Sequence, residues 1–502
     1  MTRLDTVLLF DVEDVFSPPE LGNDDSIKEL AEILEAEGLR GTFLFIADRA
    51  AQLAERGRSD VVAAVAGHEI GLHTLSASHP CCPEYVADLE WEDGVNEVLR
   101  HERKGIEILE RIFDQPVCAL SNHWRYTCPQ IQHAAARLGL PYIYSYPTAP
   151  PLNSLTWFAG ALGLPSWNPG GVSKPHTDKS GDQDPEGSDP SFALNMFYGP
   201  FDDTYPDDRA FGSVLVDYDR TIDHLLSTGH PFMATFLYHP QRVRLAEFID
   251  HFWSPNGVNF PRERWGEFGN PKRYTPEQIQ GSLNNFRRMV RFIRDDERLN
   301  PILVRDMMEK YGTQPDQVTR SDLIAAATEI EAKRQILLHP RFSPAEITVA
   351  MASMVVRFAD CESLPDSVTR IDVLGPTRSP IEWPEARRIS WFEFVSRVRD
   401  LLDHVSQTGC LPATLGGELN RTGVNHLTLA LAQALLSLEN AVVPETVDFE
   451  PMPRYPEIAP EIGRRFLSVS EGELIDPDLN PGNLYRHGKL QTWTMKPALF
   501  RP

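Results

Sequence analysis

A rhythm limits what this chain can fold into. As far as residue 307, short β-type apolar runs alternate with helical patterns. Thr6–Phe10, Thr42–Ile46, Glu69–Leu72, Val117–Leu120, Tyr142–Tyr146 and Phe232–Tyr238 read as strands, and "NPILVRDM" (300–307) as one more. Between them, Asp24 or Asp25 caps a helix in which Ile27, Leu30, Ala31 and Leu34 share a face and which Gly38 stops. Further helices read over Asp60–Ala66, Gly94–Ile112, Ile131–Leu138 and Val214–Ser227. Another runs from the capping box Thr275-Pro276-Glu277-Gln278 to about Ile293. Strands separated by helices cannot pair as hairpins. They cross over and lie parallel, so the rhythm predicts an α/β fold with a parallel sheet or barrel.

The 502 residues are too many for one ordinary domain. The rhythm changes to mostly helical after about residue 315, which predicts an α/β unit over 1–315 and a mainly helical unit over 316–502. Residues 169–190 are Gly, Pro, Ser and Asp with almost nothing apolar and read as a mobile surface loop. The last fifty residues are Pro-rich and aperiodic, as expected of a tail wrapped over another part of the molecule. Three phrases beginning at Leu364-Pro365, Leu411-Pro412 and Val443-Pro444 each follow a helical stretch, a degenerate repeat at uneven spacing.

The formal charge of −24 excludes nucleic acid and anionic membrane as obvious partners, and no Lys/Arg-rich run offsets it. The six cysteines form no CxxC pair, and no run reaches a membrane-spanning length. The opening MTRLDTVLLFDVED is a strand ended by acids rather than a secretory leader, so the expected location is cytoplasmic.

The residues able to do chemistry gather at strand C-terminal ends, where α/β folds place their sites. Asp11, Glu13 and Asp14 close the first strand. His73 follows "GHEIGL" and His79 lies six residues on; Arg125 sits in "SNHWRYTCP", and His239 ends "PFMATFLYHP". Carboxylate plus imidazole is the donor set of a hydrolytic divalent-metal site, in which the ion lowers the pKa of water and polarises a carbonyl. Asp11 fits a general base, Glu13 or Asp14 with His73 and His79 a ligand set, and His239 a general acid. Arg125 fits a partner that keeps Asp11 ionised.

In order and strand context, FDVED, GHEIGLHTLSASHP, HWRYTCP and FLYHP resemble the motifs of the polysaccharide deacetylase (NodB-homology, carbohydrate esterase family 4) family over roughly residues 5–310. The resemblance implies a distorted (β/α) barrel, a divalent metal (zinc, with nickel, cobalt or manganese as substitutes) and removal of N-acetyl groups from a carbohydrate substrate. It makes Asp11 the base, His73 the first metal histidine, Arg125 the third-motif arginine and His239 the late histidine, with Glu13 and Asp14 competing as carboxylate ligand. The chain departs from the family at the second histidine. The family sets it one helical turn after the first, where this chain has Ala77, and His79 stands two positions beyond. Cys81 or Cys82 is a softer stand-in.

Other readings compete. A non-sugar amidohydrolase uses the same barrel, and a carbohydrate-binding scaffold would tolerate a broken metal site. Trp124, Trp157, Trp167 and Trp253 are candidates for sugar stacking or for core packing. His68, His123, His176 and His230 read as solvated loop residues. "FVSRVRDLLDHVSQTGCLP" resembles pseudomurein-binding repeats, which implies a cell-wall polymer ligand; a dimer contact or substrate shielding by the helical domain competes with it.

Overall fold

The computed structural model describes residues 3–15, 17–77, 80–123, 127–145, 147–150, 154–165, 196–198, 208–227, 233–246, 272–385, 387–417, 420–460, 462 and 479–499. The expected loop at 169–190 lies outside them.

The rhythm resolves into one large sheet. Strand β1 (Leu4–Val12) is buried along all nine residues, as an interior parallel strand must be. Next come α1 (Asn23–Ala36), β2 (Thr42–Phe45), α2 (Ala47–Glu55), α3 (Ser59–Val65), β3 (Glu69–Leu72), α4 (Cys82–Val86) and α5 (Trp91–Phe113). The chain continues through β4 (Leu120–Ser121), α6 (Pro129–Arg137), β5 (Tyr142–Ser145), β6 (Thr156–Phe158), β7 (Ala161–Pro165) and β8 (Met196–Tyr198). Then follow α7 (Asp208–Ser227), β9 (Met233–Tyr238), α8 (Pro276–Asp295), β10 (Leu299–Pro301) and α9 (Val304–Tyr311). With β17 (Lys496–Pro497), the order across the sheet is β17-β6-β7-β5-β4-β3-β2-β1-β9-β8, and β10 pairs with the start of β1. Pairings from β7 through β5, β4, β3, β2 and β1 to β9 and β8 are all parallel; only β6 against β7 and β17 against β6 are antiparallel. The C-terminal ends of β1, β3, β4, β5 and β9 therefore share one edge.

Two local departures from the sequence reading matter. The first strand does not stop at Phe10 but carries Asp11 and Val12 in register with Leu44 and Phe45 of β2, so Asp11 projects from the sheet itself. The single strand expected over 300–307 is a three-residue strand followed by α9. The backbone N–H of Leu303 donates to Asp306 at the helix start, and Val304, Met307 and Tyr311 bury one helical face.

A second hydrophobic core is built by β11 (Gln317–Thr319), α10 (Arg320–Lys333), α11 (Pro344–Cys361), β12 (Ser367–Thr369), β13 (Arg388–Ser390), α12 (Trp391–Thr408), β14 (Thr414–Leu415), β15 (Thr422–Gly423), α13 (Val424–Glu439) and β16 (Thr446–Asp448). It is a duplicated arrangement, with β11 antiparallel to β12 and β13 antiparallel to β16. Thr348 on α11 meets Thr428 on α13 at 3.1 Å. The Leu-Pro phrases lead into the short strands β12, β14 and β16, which explains their recurrence. The tail returns to the α/β body: α14 (Gly482–Gln491) packs on α6 and β17 extends the sheet at β6. Trp493 between them is fully buried among residues of the helical core. No helix among the described residues is long and apolar enough to cross a membrane.

Candidate metal centre

Five strands deliver the site. Asp11 and Glu13 leave the end of β1, where a turn from Val15 N to the Glu13 carbonyl (2.8 Å) starts the next loop. His73 is the first residue beyond β3, tied by its N–H to Phe45 O at 2.7 Å. His123 lies two residues beyond β4, Tyr144 is in β5 and His239 directly follows β9. His73 Nε2 lies 3.8 Å from Asp11 Oδ2 and 3.5 Å from Glu13 Oε2. His239 Nε2 lies 3.7 Å from Asp11 Oδ2 and 3.5 Å from Glu13 Oε1. His123 Nε2 is 3.5 Å from Glu13 Oε2. The other Asp11 oxygen, Oδ1, accepts a 2.7 Å hydrogen bond from the Tyr144 hydroxyl. Asp11, Glu13 and His73 are each at most 5% exposed.

This packing has an electrostatic consequence. The Ser121 hydroxyl donates to the Leu72 carbonyl at 3.0 Å, so at 2.8 Å it accepts the proton of His73 Nδ1. That assigns the lone pair to His73 Nε2, which faces two carboxylate oxygens and has no hydrogen-bond partner among the described residues. Electron-rich atoms that converge in this way repel one another unless a cation lies between them. Burial pushes the Asp11 carboxyl up to about 8, against the hydrogen bond from Tyr144 that favours its anion. Burial, then the neighbouring His73, Arg242 and His123, lowers His239 to about 3. Burial, with His123 alongside, holds His73 well below its usual value. Both shifts favour the neutral imidazole, the form that binds metals.

The donor atoms fit a divalent ion. Bonds of about 2.0–2.2 Å in a tetrahedron hold ligand atoms about 3.3–3.6 Å apart, and the observed separations of 3.5–3.8 Å lie at or just above that span. Among the described residues, the group whose ligand atoms all lie within 4.8 Å of one another is Asp11, Glu13 and His239; His73 stands beside that group, its Nε2 3.5–3.8 Å from a carboxylate oxygen of each acid.

The sequence-predicted residues separate. Asp11, Glu13, His73 and His239 meet. Asp14 does not enter this ligand group; it accepts from Ser17 N at 3.2 Å and from the Asn23 side-chain amide, closing the loop before α1. His239 lies beside both carboxylates, its Nε2 3.7 Å from Asp11 Oδ2 and 3.5 Å from Glu13 Oε1. His79 and Arg125 lie outside the described residues, as do His176, His230, Trp124, Trp167 and Trp253. His123 was expected in solvent and instead contacts Glu13; its place just past a strand end was the available signal. His68 is also buried, accepting from Gly41 N at 3.2 Å and bonded to Ala31 O at 3.1 Å, contacts that no local pattern announces. Trp157 is buried in β6 and packs in the core rather than lining a cleft. Cys82 packs against Cys128, with sulfurs 3.6 Å apart.

No family model and no curated protein matches the chain. Among solved structures it is similar to a probable polysaccharide deacetylase from Pseudomonas aeruginosa PAO1, at 10% identity over 62% of this chain and 93% of that one, with a TM-score of 0.36. A PuuE allantoinase matches at 11% identity over 61% of this chain and 91% of that one, with a TM-score of 0.35. A carbohydrate esterase family 4 pseudoenzyme from Bacillus anthracis matches at 10% identity over 60% of this chain and 64% of that one, with a TM-score of 0.28. Neither substrate nor activity transfers at such values.

Proposed function

We propose that this chain is a metal-dependent amidohydrolase that removes an N-acetyl group from an amino sugar or polysaccharide. The supporting observation is the convergence of two buried carboxylates and three imidazoles at the C-terminal edge of a parallel sheet, with carboxylate–imidazole separations of 3.5–3.8 Å and with Asp11, Glu13 and His239 grouped closely enough to share one divalent ion. The resemblance of the four sequence motifs to the deacetylase family supports the choice of substrate class.

Glu13, His73 and His239 would hold the ion, zinc by donor type and geometry. When bound, it supplies an acidified water and polarises the scissile carbonyl. The chain's own residues do the rest. Asp11, a buried carboxylate with high proton affinity, takes the proton released as water adds to the amide carbon. The same carboxyl then returns that proton to the nitrogen as the C–N bond breaks, giving acetate and a free amine. The Ser121 hydroxyl fixes the His73 tautomer, and the dry surroundings of Asp11 and Glu13 strengthen every charge interaction in the site.

Metal analysis after zinc reconstitution and acetate release from chitooligosaccharides test this reading. Near-stoichiometric zinc with acetate release supports it. Ammonia release from small amides would move the substrate class, and absence of bound zinc would remove the hydrolase.

A further inference from the structure

Strand β5 is interrupted at one residue. Its parallel register with β7 runs Tyr142 to Gly163 and Ile143 to Leu164, then shifts so that Ser145 meets Pro165. The residue passed over is Tyr144, whose φ is +70°. A bulky side chain in the left-handed region is a true outlier, and such backbone persists only where its surroundings hold it. A bulge of this kind re-aims a side chain and is characteristic of active-site rims. Here the re-aimed phenol is 9% exposed, lies edge-on to the His73 ring at 5.9 Å between centroids, and donates to Asp11 Oδ1 at 2.7 Å.

We propose that Tyr144 is a positioning residue for Asp11: the β5 bulge exists to aim its hydroxyl at Oδ1, which turns Oδ2 toward His73 and His239. This rests on the reading of Asp11 as the base. Without the phenol, the Asp11 carboxylate can rotate about its terminal bond and present either oxygen, or both, to the imidazoles. With it, one oxygen is occupied and the other is fixed 3.7–3.8 Å from two imidazole nitrogens. The sequence reading gives the work of holding Asp11 to Arg125. The structure gives at least part of it to a residue 133 positions away in sequence, on a different strand from the third-motif segment.

The test is a double-mutant cycle of Tyr144→Phe and Asp11→Ala, read in two ways. By thermal unfolding, Tyr144→Phe should lower the midpoint by about 2–4 °C, and the loss should vanish in the Asp11→Ala background. By acetate release from chitopentaose, Tyr144→Phe should lower kcat about tenfold to a hundredfold, with KM within twofold of wild type and zinc content unchanged. A stability loss that persists in the Asp11→Ala background overturns the proposal, and so does a raised KM at constant kcat. If wild-type protein releases no acetate, the deacetylase reading fails on its own, and the unfolding cycle alone then decides for or against the Tyr144–Asp11 contact.

Discussion

Replacing Ser121 by alanine removes one oxygen atom that touches no metal, yet it should be felt at the metal. Ser121 is completely buried; its hydroxyl donates to Leu72 O at 3.0 Å and accepts from His73 Nδ1 at 2.8 Å. In Ser121→Ala the imidazole N–H is left without a partner in a ring that is 1% exposed, and an orphaned buried donor costs about 1–3 kcal/mol. The ring can recover part of this by turning or by changing tautomer, and either change takes the Nε2 lone pair away from Glu13. Loss of such an outer partner weakens metal binding about tenfold to a hundredfold, equivalent to about 1.4–2.7 kcal/mol. The assay is a zinc dissociation constant from competition with a chromophoric chelator, beside unfolding midpoints measured in EDTA and in excess zinc. The expected result is lower stability in EDTA and a smaller stabilisation by zinc than in wild type. Wild-type zinc affinity in a destabilised Ser121→Ala protein would refute the reasoning, because His73 would then be a packed histidine and not a ligand.

Zinc in a thousandfold excess over its dissociation constant should stabilise wild type by about 4 kcal/mol, and Glu13→Gln should abolish most of that gain in the same unfolding assay. Asp11→Asn should retain zinc and lose acetate release, a separation seen by metal analysis and product assay together. Glu102 is fully buried, bonds Leu75 N at 2.9 Å two residues past His73, and burial lifts its carboxyl to about 7. A raised folded value means its stabilising contribution is complete below the ordinary 4.5 and is lost as pH rises through 7. Glu102→Gln should therefore gain stability relative to wild type progressively between pH 5 and 8, by up to about 3 kcal/mol in denaturant titrations; a constant difference across that range would contradict the sign. Gly163 faces the Tyr144 bulge, and a Cβ there would collide with the Ser145 side chain. Gly163→Ala should cost about 1–3 kcal/mol of stability in denaturant titration.

Much of the α/β body was legible because parallel strands and amphipathic helices leave periodic signals. Glu69–Leu72 and the capping box at Thr275 could be read directly. The misreadings have physical causes. Leu303 to Tyr311 is too short for its helical period to outweigh the apolar run before it, and the bond from the Leu303 N–H to Asp306 decides it. In the site, Asp11, Glu13, His73 and His239 were found because strand ends are where a parallel sheet collects polar side chains. Asp14 and Glu13 could not be separated by sequence. In the structure Ser17 and Asn23 bind Asp14, whereas Glu13 lies beside the imidazoles of His73, His123 and His239. His123 and Tyr144 escaped because each enters the cluster through pairing across the sheet. Tyr144 also depends on a bulge, and no residue pattern in "PYIYSY" marks one.

The most direct test of the central claim is anomalous diffraction at the zinc edge from crystals of the zinc-loaded protein. The account predicts a single strong peak bonded at about 2.0–2.2 Å to Glu13, His73 Nε2 and His239 Nε2. No peak there, or zinc held only at the exposed Cys361 or other surface donors, would contradict it.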